Sequence, residues 1–199
     1  MYIPQKYKEE NPERIRQFIE DNAFGILVSG GTERPMATHL PLAVWTDEQN
    51  QWVLEGHFAK ANPQWRAISD GEIVLCIFNG PHAYISSSWY REEDVPTWNY
   101  QAVHIRGRYK KLNNTELLQA LSRMMNKYEQ HSDQPVTLHK LSPTTLKQIH
   151  GIVGFRIETL EVEAAFKLSQ GRVADHSRIK EELKKRGGMS SEVANAMEE

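Results

Sequence analysis

The chain has 199 residues, with 24 Lys and Arg against 26 Asp and Glu, a formal net charge of −2. Its 39% hydrophobic and 25% charged residues exclude a disordered or fibrous chain. A single cysteine, Cys76, excludes an intrachain disulfide and a cysteine-based zinc finger, and the near-neutral balance argues against a broad basic face for nucleic acid.

The first residues, Met1-Tyr2-Ile3-Pro4-Gln5-Lys6-Tyr7, lack the apolar stretch of a signal peptide. The longest apolar run, Ile73 to Phe78, is far short of the roughly 20 residues that span a bilayer. The expectation is a soluble, cytoplasmic protein with no membrane partner.

Asn11 followed by Pro12 predicts a helix start, with Ile15, Phe18 and Ile19 on one face. Phe24 to Ser29 reads as a strand, and Gly30-Gly31 with Pro35 as a turn. Met36 to Trp45 resumes as a strand interrupted by Pro41, whose missing N–H suggests an edge or a bulge. Trp52 to Phe58 is a third strand. Asn62-Pro63 opens a short helix to Ser69, and Glu72 to Phe78 is the most apolar strand, broken by Asn79-Gly80-Pro81.

Ala83 to Ile85 is a short strand candidate and Ser86 to Pro96 reads as loop. Trp98 to Leu112 is a long strand with Val103, Ile105 and Tyr109 on one face and His104, Arg106, Arg108 and Lys110 on the other. Thr115 to Gln130 is an amphipathic helix carrying a stripe of Leu117, Leu118, Leu121, Met124, Met125 and Tyr128. Ser142-Pro143 starts a shorter helix ending near Gly151. Ile152 to Phe166 gives one or two strands, and Asp175 to Arg186 a last long helix closed by Gly187-Gly188. The pattern predicts one α+β domain over residues 1–186, mainly β with flanking helices, and a tail over 187–199 that forms a short helix or frays.

Three stretches carry more than a meander needs, the first being Ala37-Thr38-His39-Leu40-Pro41. In Gly56-His57-Phe58-Ala59-Lys60-Ala61-Asn62-Pro63-Gln64-Trp65 a strand ends, a lysine follows and a capped helix begins. Free backbone N–H groups and a mobile cation there suit a phosphate, although an ordinary capped helix beside a solvated lysine has the same sequence. From Tyr84 to Tyr100, five aromatics are interleaved with three serines, and His82 stands just before them. Such a mix can wall a planar ring, or equally build an aromatic core or a subunit interface. His39, His57, His82 and His104 show no local metal spacing, so no metal is expected. No nucleotide-binding glycine loop and no catalytic acid–base pair is visible, so no catalytic residue is assigned.

Asn11-Pro12, Phe24-Gly25, Ala37-Thr38-His39-Leu40-Pro41, Gly56-His57, Ala61 to Trp65, Gly80 to Ser86, Ser88-Trp89-Tyr90 and Val95 to Tyr100 resemble the PaiB family. Position 87 is serine where the family pattern leads one to expect proline. These proteins are described as negative transcriptional regulators within the FMN-binding split-barrel superfamily, alongside the pyridoxamine phosphate oxidases. The resemblance implies a six-stranded antiparallel split β-barrel, a homodimer, and FMN as cofactor. It places Thr38 and His39 beside the flavin, His57, Lys60 and Asn62 near its phosphate, and Trp89, Trp98 and Asn99 as contributions from the second copy. It leaves open a flavin-dependent oxidoreductase or redox sensor that does not contact DNA directly, and the charge balance gives direct DNA binding little support.

Overall fold

A computed structural model describes residues 1–30 and 34–197; the expected turn at Gly30-Gly31 lies in part outside them. The elements in chain order are β1 (Lys8–Glu9), α1 (Pro12–Asp21), β2 (Phe24–Ser29), β3 (Met36–Pro41), β4 (Ala43–Thr46), β5 (Trp52–Ala59), α2 (Gln64–Ala67), β6 (Ile73–Ile85) and β7 (Thr97–Lys111). There follow α3 (Asn114–Glu129), α4 (Pro143–Leu146), β8 (Ile152–Lys167), α5 (His176–Arg186) and α6 (Met189–Ala196), with short 3₁₀ turns between some of them. The chain forms two compact units, one of residues 1–22, 78–104 and 162–199, the other of residues 23–77 and 105–161.

In the second unit the strands follow the order β3-β2-β6-β7-β8-β5-β4. The pairings β2–β3, β2–β6, β4–β5 and β5–β8 are all antiparallel. The two ends of this order, β3 and β4, are joined in the chain by the single residue Leu42, which is fully buried. A sheet whose outermost strands are one residue apart has to curl until its ends meet. Pro41 makes the break: it ends β3 and lacks the N–H a continuing ladder needs. The Leu42 N–H donates instead to the Ala23 carbonyl at 2.8 Å. Gly56 of β5 fits beneath this crossing, since a Cβ there would lie 3.0 Å from the Pro41 carbonyl oxygen and 2.8 Å from the Phe155 ring. Phe58, Tyr109 and Phe155 fill the interior, with ring centroids 4.9 Å (Phe58–Phe155) and 5.7 Å (Tyr109–Phe155) apart. The expectation of six strands falls short: eight form among the described residues, because β1 adds a two-residue pairing to β8 and Pro41 divides one strand in two.

Helix α3 starts one turn earlier than its apolar stripe, because Asn113 and Glu116 form a reciprocal cap. It packs through Leu117, Ala120 and Leu121 against Leu112 and Ile152, while Leu118 and Tyr128 of the expected stripe are exposed. Gly154 lets it approach, since a Cβ there would sit 2.6 Å from Leu117. Glu55 of β5, 1% exposed, is clamped by Arg123 of α3 and Arg156 of β8, each at 2.7 Å.

In the first unit, the Asn11 side chain accepts from the N–H groups of Glu13 and Arg14, and Ile15, Phe18 and Ile19 of α1 are buried, as the sequence predicts. Phe18 meets Phe166 with centroids 5.1 Å apart. The expected break at Asn79-Gly80-Pro81 does not occur, and β6 runs through it. The β2 pairing ends at Ile77, so the following residues have β7 as their sheet neighbour, and a proline without an N–H is tolerated on such an edge. Gly80 is needed for packing rather than turning: a Cβ there would lie 2.4 Å from the Phe18 ring. Residues 187–199 contain α6, which buries Val193 and Ala194.

Candidate functional site

The site residues fall into two sets. Thr38, His39, His57, Lys60 and Asn62 belong to the second unit; Trp89, Trp98 and Asn99 belong to the first.

In the second unit, one buried amide organises the site. Gln64, fully buried, donates through Nε2 to the Leu27 carbonyl (3.2 Å), the Met36 carbonyl (3.1 Å) and the Ser29 hydroxyl (3.1 Å). Its Oε1 accepts from the Thr38 hydroxyl, which accepts in turn from Asn62 Nδ2 at 2.8 Å. The Asn62 Oδ1 closes the ring by accepting from the Gln64 backbone N–H at 2.9 Å. Sequence reading gave Gln64 no role. Its position one residue after Asn-Pro, where a lysine or glutamate would be unremarkable, was the available signal.

The helix after Asn62 is a single turn, Gln64–Ala67, shorter than the expected Pro63 to Ser69. Ile68 turns extended and is buried, which ends it. One turn sums few peptide dipoles, and Asn62 already takes one of its N–H groups, so attraction for an anion has to come from side chains. These are present. Lys60 is exposed, with its backbone held on both sides: its N–H donates to Gly151 and its carbonyl accepts from the Trp65 indole at 3.0 Å. Arg66 and Lys111 lie over the Trp65 ring at 4.7 and 4.6 Å. Among the described residues none of these three cations has a carboxylate partner. Lys60 and Arg66 offer charged donors to a phosphate, while the Asp70 carboxylate, which accepts from the Lys111 backbone N–H at 2.8 Å, lies close to Lys111.

His57 is half-buried on β5, and burial lowers its pKa, so the ring is a neutral hydrogen-bonding group. His39 is exposed on β3, its ring 6.2 Å from Phe24. Hydrogen bonds join Thr38 and Asn62 directly; His39, His57 and Lys60 stand outside that network.

In the first unit Trp98 is 47% exposed, and its indole N–H donates to His82 Nδ1 at 3.2 Å. It also meets Tyr84 edge-on, and it lines a cavity of about 440 Å³ with His82, Tyr100 and Gln101. Trp89 is buried under the Arg186 guanidinium. Asn99 is fully buried and exchanges hydrogen bonds with Ser169, at 2.8 and 3.1 Å. Of these three, only Trp98 offers a face to a ligand. Cys76 is buried and its thiol is pushed up to about 12, which removes it as a nucleophile. Among the described residues no three His, Cys, Asp or Glu side chains gather into a metal-binding group, and no helix is long and apolar enough to cross a membrane.

Residues 1–161 match the family model described as "Putative FMN-binding domain". The chain is 48% identical over 185 residues to the Protease synthase and sporulation protein PAI 2 of Bacillus subtilis (strain 168), covering 92% of this chain and 89% of that one. Among solved structures it resembles the FAD and heme binding protein of Mycobacterium smegmatis (TM-score 0.63, 12% identity, 81% of this chain and 73% of that chain). It also resembles the flavocytochrome Anf3 of Azotobacter vinelandii (TM-score 0.59, 11% identity, 83% and 72%). These likenesses carry the fold, and the curled antiparallel sheet closed at Leu42 is its local expression. FMN is the cofactor that the family match gives this chain, and the cationic Lys60–Arg66 segment fits its phosphate. The chain belongs to the PaiB family of FMN-binding split-barrel proteins.

Proposed function

We propose that the protein is a homodimeric flavin-binding regulator of the PaiB type that lowers transcription through the state or reaction of its FMN. One observation carries the reading: three cations without carboxylate partners, Lys60, Arg66 and Lys111, are gathered around Trp65 on a segment that the Thr38–Asn62–Gln64 network holds rigid. Lys60 and Arg66 bind the phosphate, and Asn62 fixes the loop that presents them. Thr38 and His39 of β3 border the ring system, and the neutral His57 donates or accepts a hydrogen bond without adding charge. When bound, FMN supplies hydride or single-electron transfer, and the chain's part is to hold and shield it. The second copy contributes its 89–99 segment, with Trp98 as the contacting face and the buried Trp89 and Asn99 holding that strand in place.

The regulatory part rests on the likeness to PAI 2, whose name refers to protease synthesis and sporulation. A flavin-dependent oxidoreductase or redox sensor is the second reading, favoured by the low net charge: a chain at −2 has little to offer the phosphates of duplex DNA. Three measurements test the proposal. Purified protein should show a flavin spectrum, release FMN on denaturation, and scatter light as a dimer. A colourless protein that does not take up FMN, or a monomer at micromolar concentration, overturns it. Nanomolar, competitor-resistant binding to an operator at physiological salt identifies a direct repressor, whereas weak, salt-sensitive binding assigns regulation to the flavin.

A further inference from the structure

The first unit contains another cavity of about 440 Å³, bounded by residues distant in sequence: Lys6 and Tyr7, Tyr90, Thr97, Lys167 and Arg172. Its wall concentrates positive charge. The Tyr7 ring lies beneath two ammonium groups, those of Lys6 at 5.0 Å and Lys167 at 5.5 Å. Lys167 also donates to the Thr97 hydroxyl. Among the described residues neither lysine has a carboxylate partner. Arg172 is neutralised locally by Asp94 and Asp175 and lies 3.7 Å above the Tyr90 ring. The wall therefore keeps a net positive charge after every facing carboxylate is counted.

Tyr90 supplies the second, independent observation. It is 6% exposed, and its hydroxyl is buried with no hydrogen-bond partner among the described residues. Native structures rarely leave a buried hydroxyl unpaired without compensation.

We propose that this cavity binds a small oxyanion, a phosphate or carboxylate group of a metabolite-sized molecule, between the ammonium groups of Lys6 and Lys167, with the Tyr90 hydroxyl donating to it. Its size lies within the range of pockets that take small molecules, and Tyr7 and Tyr90 wall it with rings. Burial raises the Tyr90 pKa, so the phenol remains a donor across the physiological range. Tyr90 and Thr97 belong to the 89–99 segment that the proposed function gives to the flavin of a second copy, and the Lys167→Met arm of the test below tells an oxyanion site from a part of the flavin site.

Calorimetric titration of the protein as purified, with its bound flavin, tests this at fixed ionic strength, using inorganic phosphate in one arm and benzoate in the other. Saturable binding of at least one probe is expected, and the tighter of the two identifies the preferred oxyanion. Lys167→Met and Tyr90→Phe should each weaken that probe about tenfold, the loss of one hydrogen bond to a charged group. Tyr90→Phe should also melt no lower than the parent, because it deletes an unpaired hydroxyl and keeps the ring; that variant decides the matter if Lys167→Met does not fold. Absence of saturable binding by either probe, or unchanged affinity in Tyr90→Phe, overturns the proposal. So does loss of bound FMN from folded Lys167→Met, which would make the cavity part of the flavin site.

Discussion

The Thr38 hydroxyl donates to Gln64 Oε1, tying the middle of an edge strand to the first residue of a one-turn helix. Gln64 spends both ends of its side-chain amide on β2 and β3, so the loop after β5 that carries it cannot shift without leaving buried groups unpaired. Gln64→Leu should therefore destabilise by about 2–4 kcal/mol, since it strands the Thr38 hydroxyl and two carbonyls while keeping much of the volume. Thr38→Val should cost less, about 1–2 kcal/mol. Urea unfolding of the two variants checks the order; equal stability of all three proteins would refute it.

Lys60→Ala is expected to weaken FMN about tenfold or more, the loss of one charge-assisted contact to phosphate. Riboflavin, which lacks the phosphate, should bind much more weakly than FMN to the parent and respond little to this substitution. Flavin fluorescence titration separates the two ligands. A matching loss for riboflavin would place Lys60 against the ring system instead.

Glu55 is a buried carboxylate held by two guanidiniums, and removing it leaves both without their counter-charge. Glu55→Ala should cost about 3–5 kcal/mol, whereas replacing all three residues with apolar side chains of similar volume should be close to neutral. Thermal denaturation of the single and triple variants measures the difference. A triple variant less stable than Glu55→Ala would contradict this account.

Alkaline pH should destabilise the fold through buried acids, Tyr90 among them in direction and Cys76 and Tyr109 most strongly. Cys76 is raised from 9.0 to about 12, and Tyr109 from 10.0 to about 12. Each is neutral in the folded chain at pH values where it ionises in the unfolded chain, so the folded state holds more protons there. Stability is then fully present below about pH 9 and falls as pH rises from 9 toward 12. Cys76→Ala should flatten the first part of that decline in denaturant unfolding measured at stepped pH. An unchanged profile in the variant would mean that the thiol contributes nothing.

Much of this molecule is legible in its sequence because the signals are local. Asn11-Pro12, the alternation of Val103, Ile105 and Tyr109, and the stripe of α3 each act within a turn or a pleat. What escaped depends on partners far along the chain. Asn79-Gly80-Pro81 has the composition of a break, yet Gly80 answers to Phe18 and the proline to the end of the β2 pairing. Gln64 looks like a surface residue after a proline until residues 27, 29, 36 and 38 close around it. The segment proposed for the phosphate carries its lysine openly in the sequence, but the helix behind it is too short to act as a dipole, and the neighbouring cations Arg66 and Lys111 come from the turn itself and from a strand end.

Leu42 also has a consequence for how the chain is made. β3 and β4 find their partners β2 and β5 nearby in the chain, on either side of Leu42, but β5 gains its second neighbour only when β8 is made. That pairing joins Val53 to Glu158 and Ala59 to Ile152. The nascent chain must therefore carry an open, apolar-faced ribbon through most of its synthesis, and such late, long-range closure is slow.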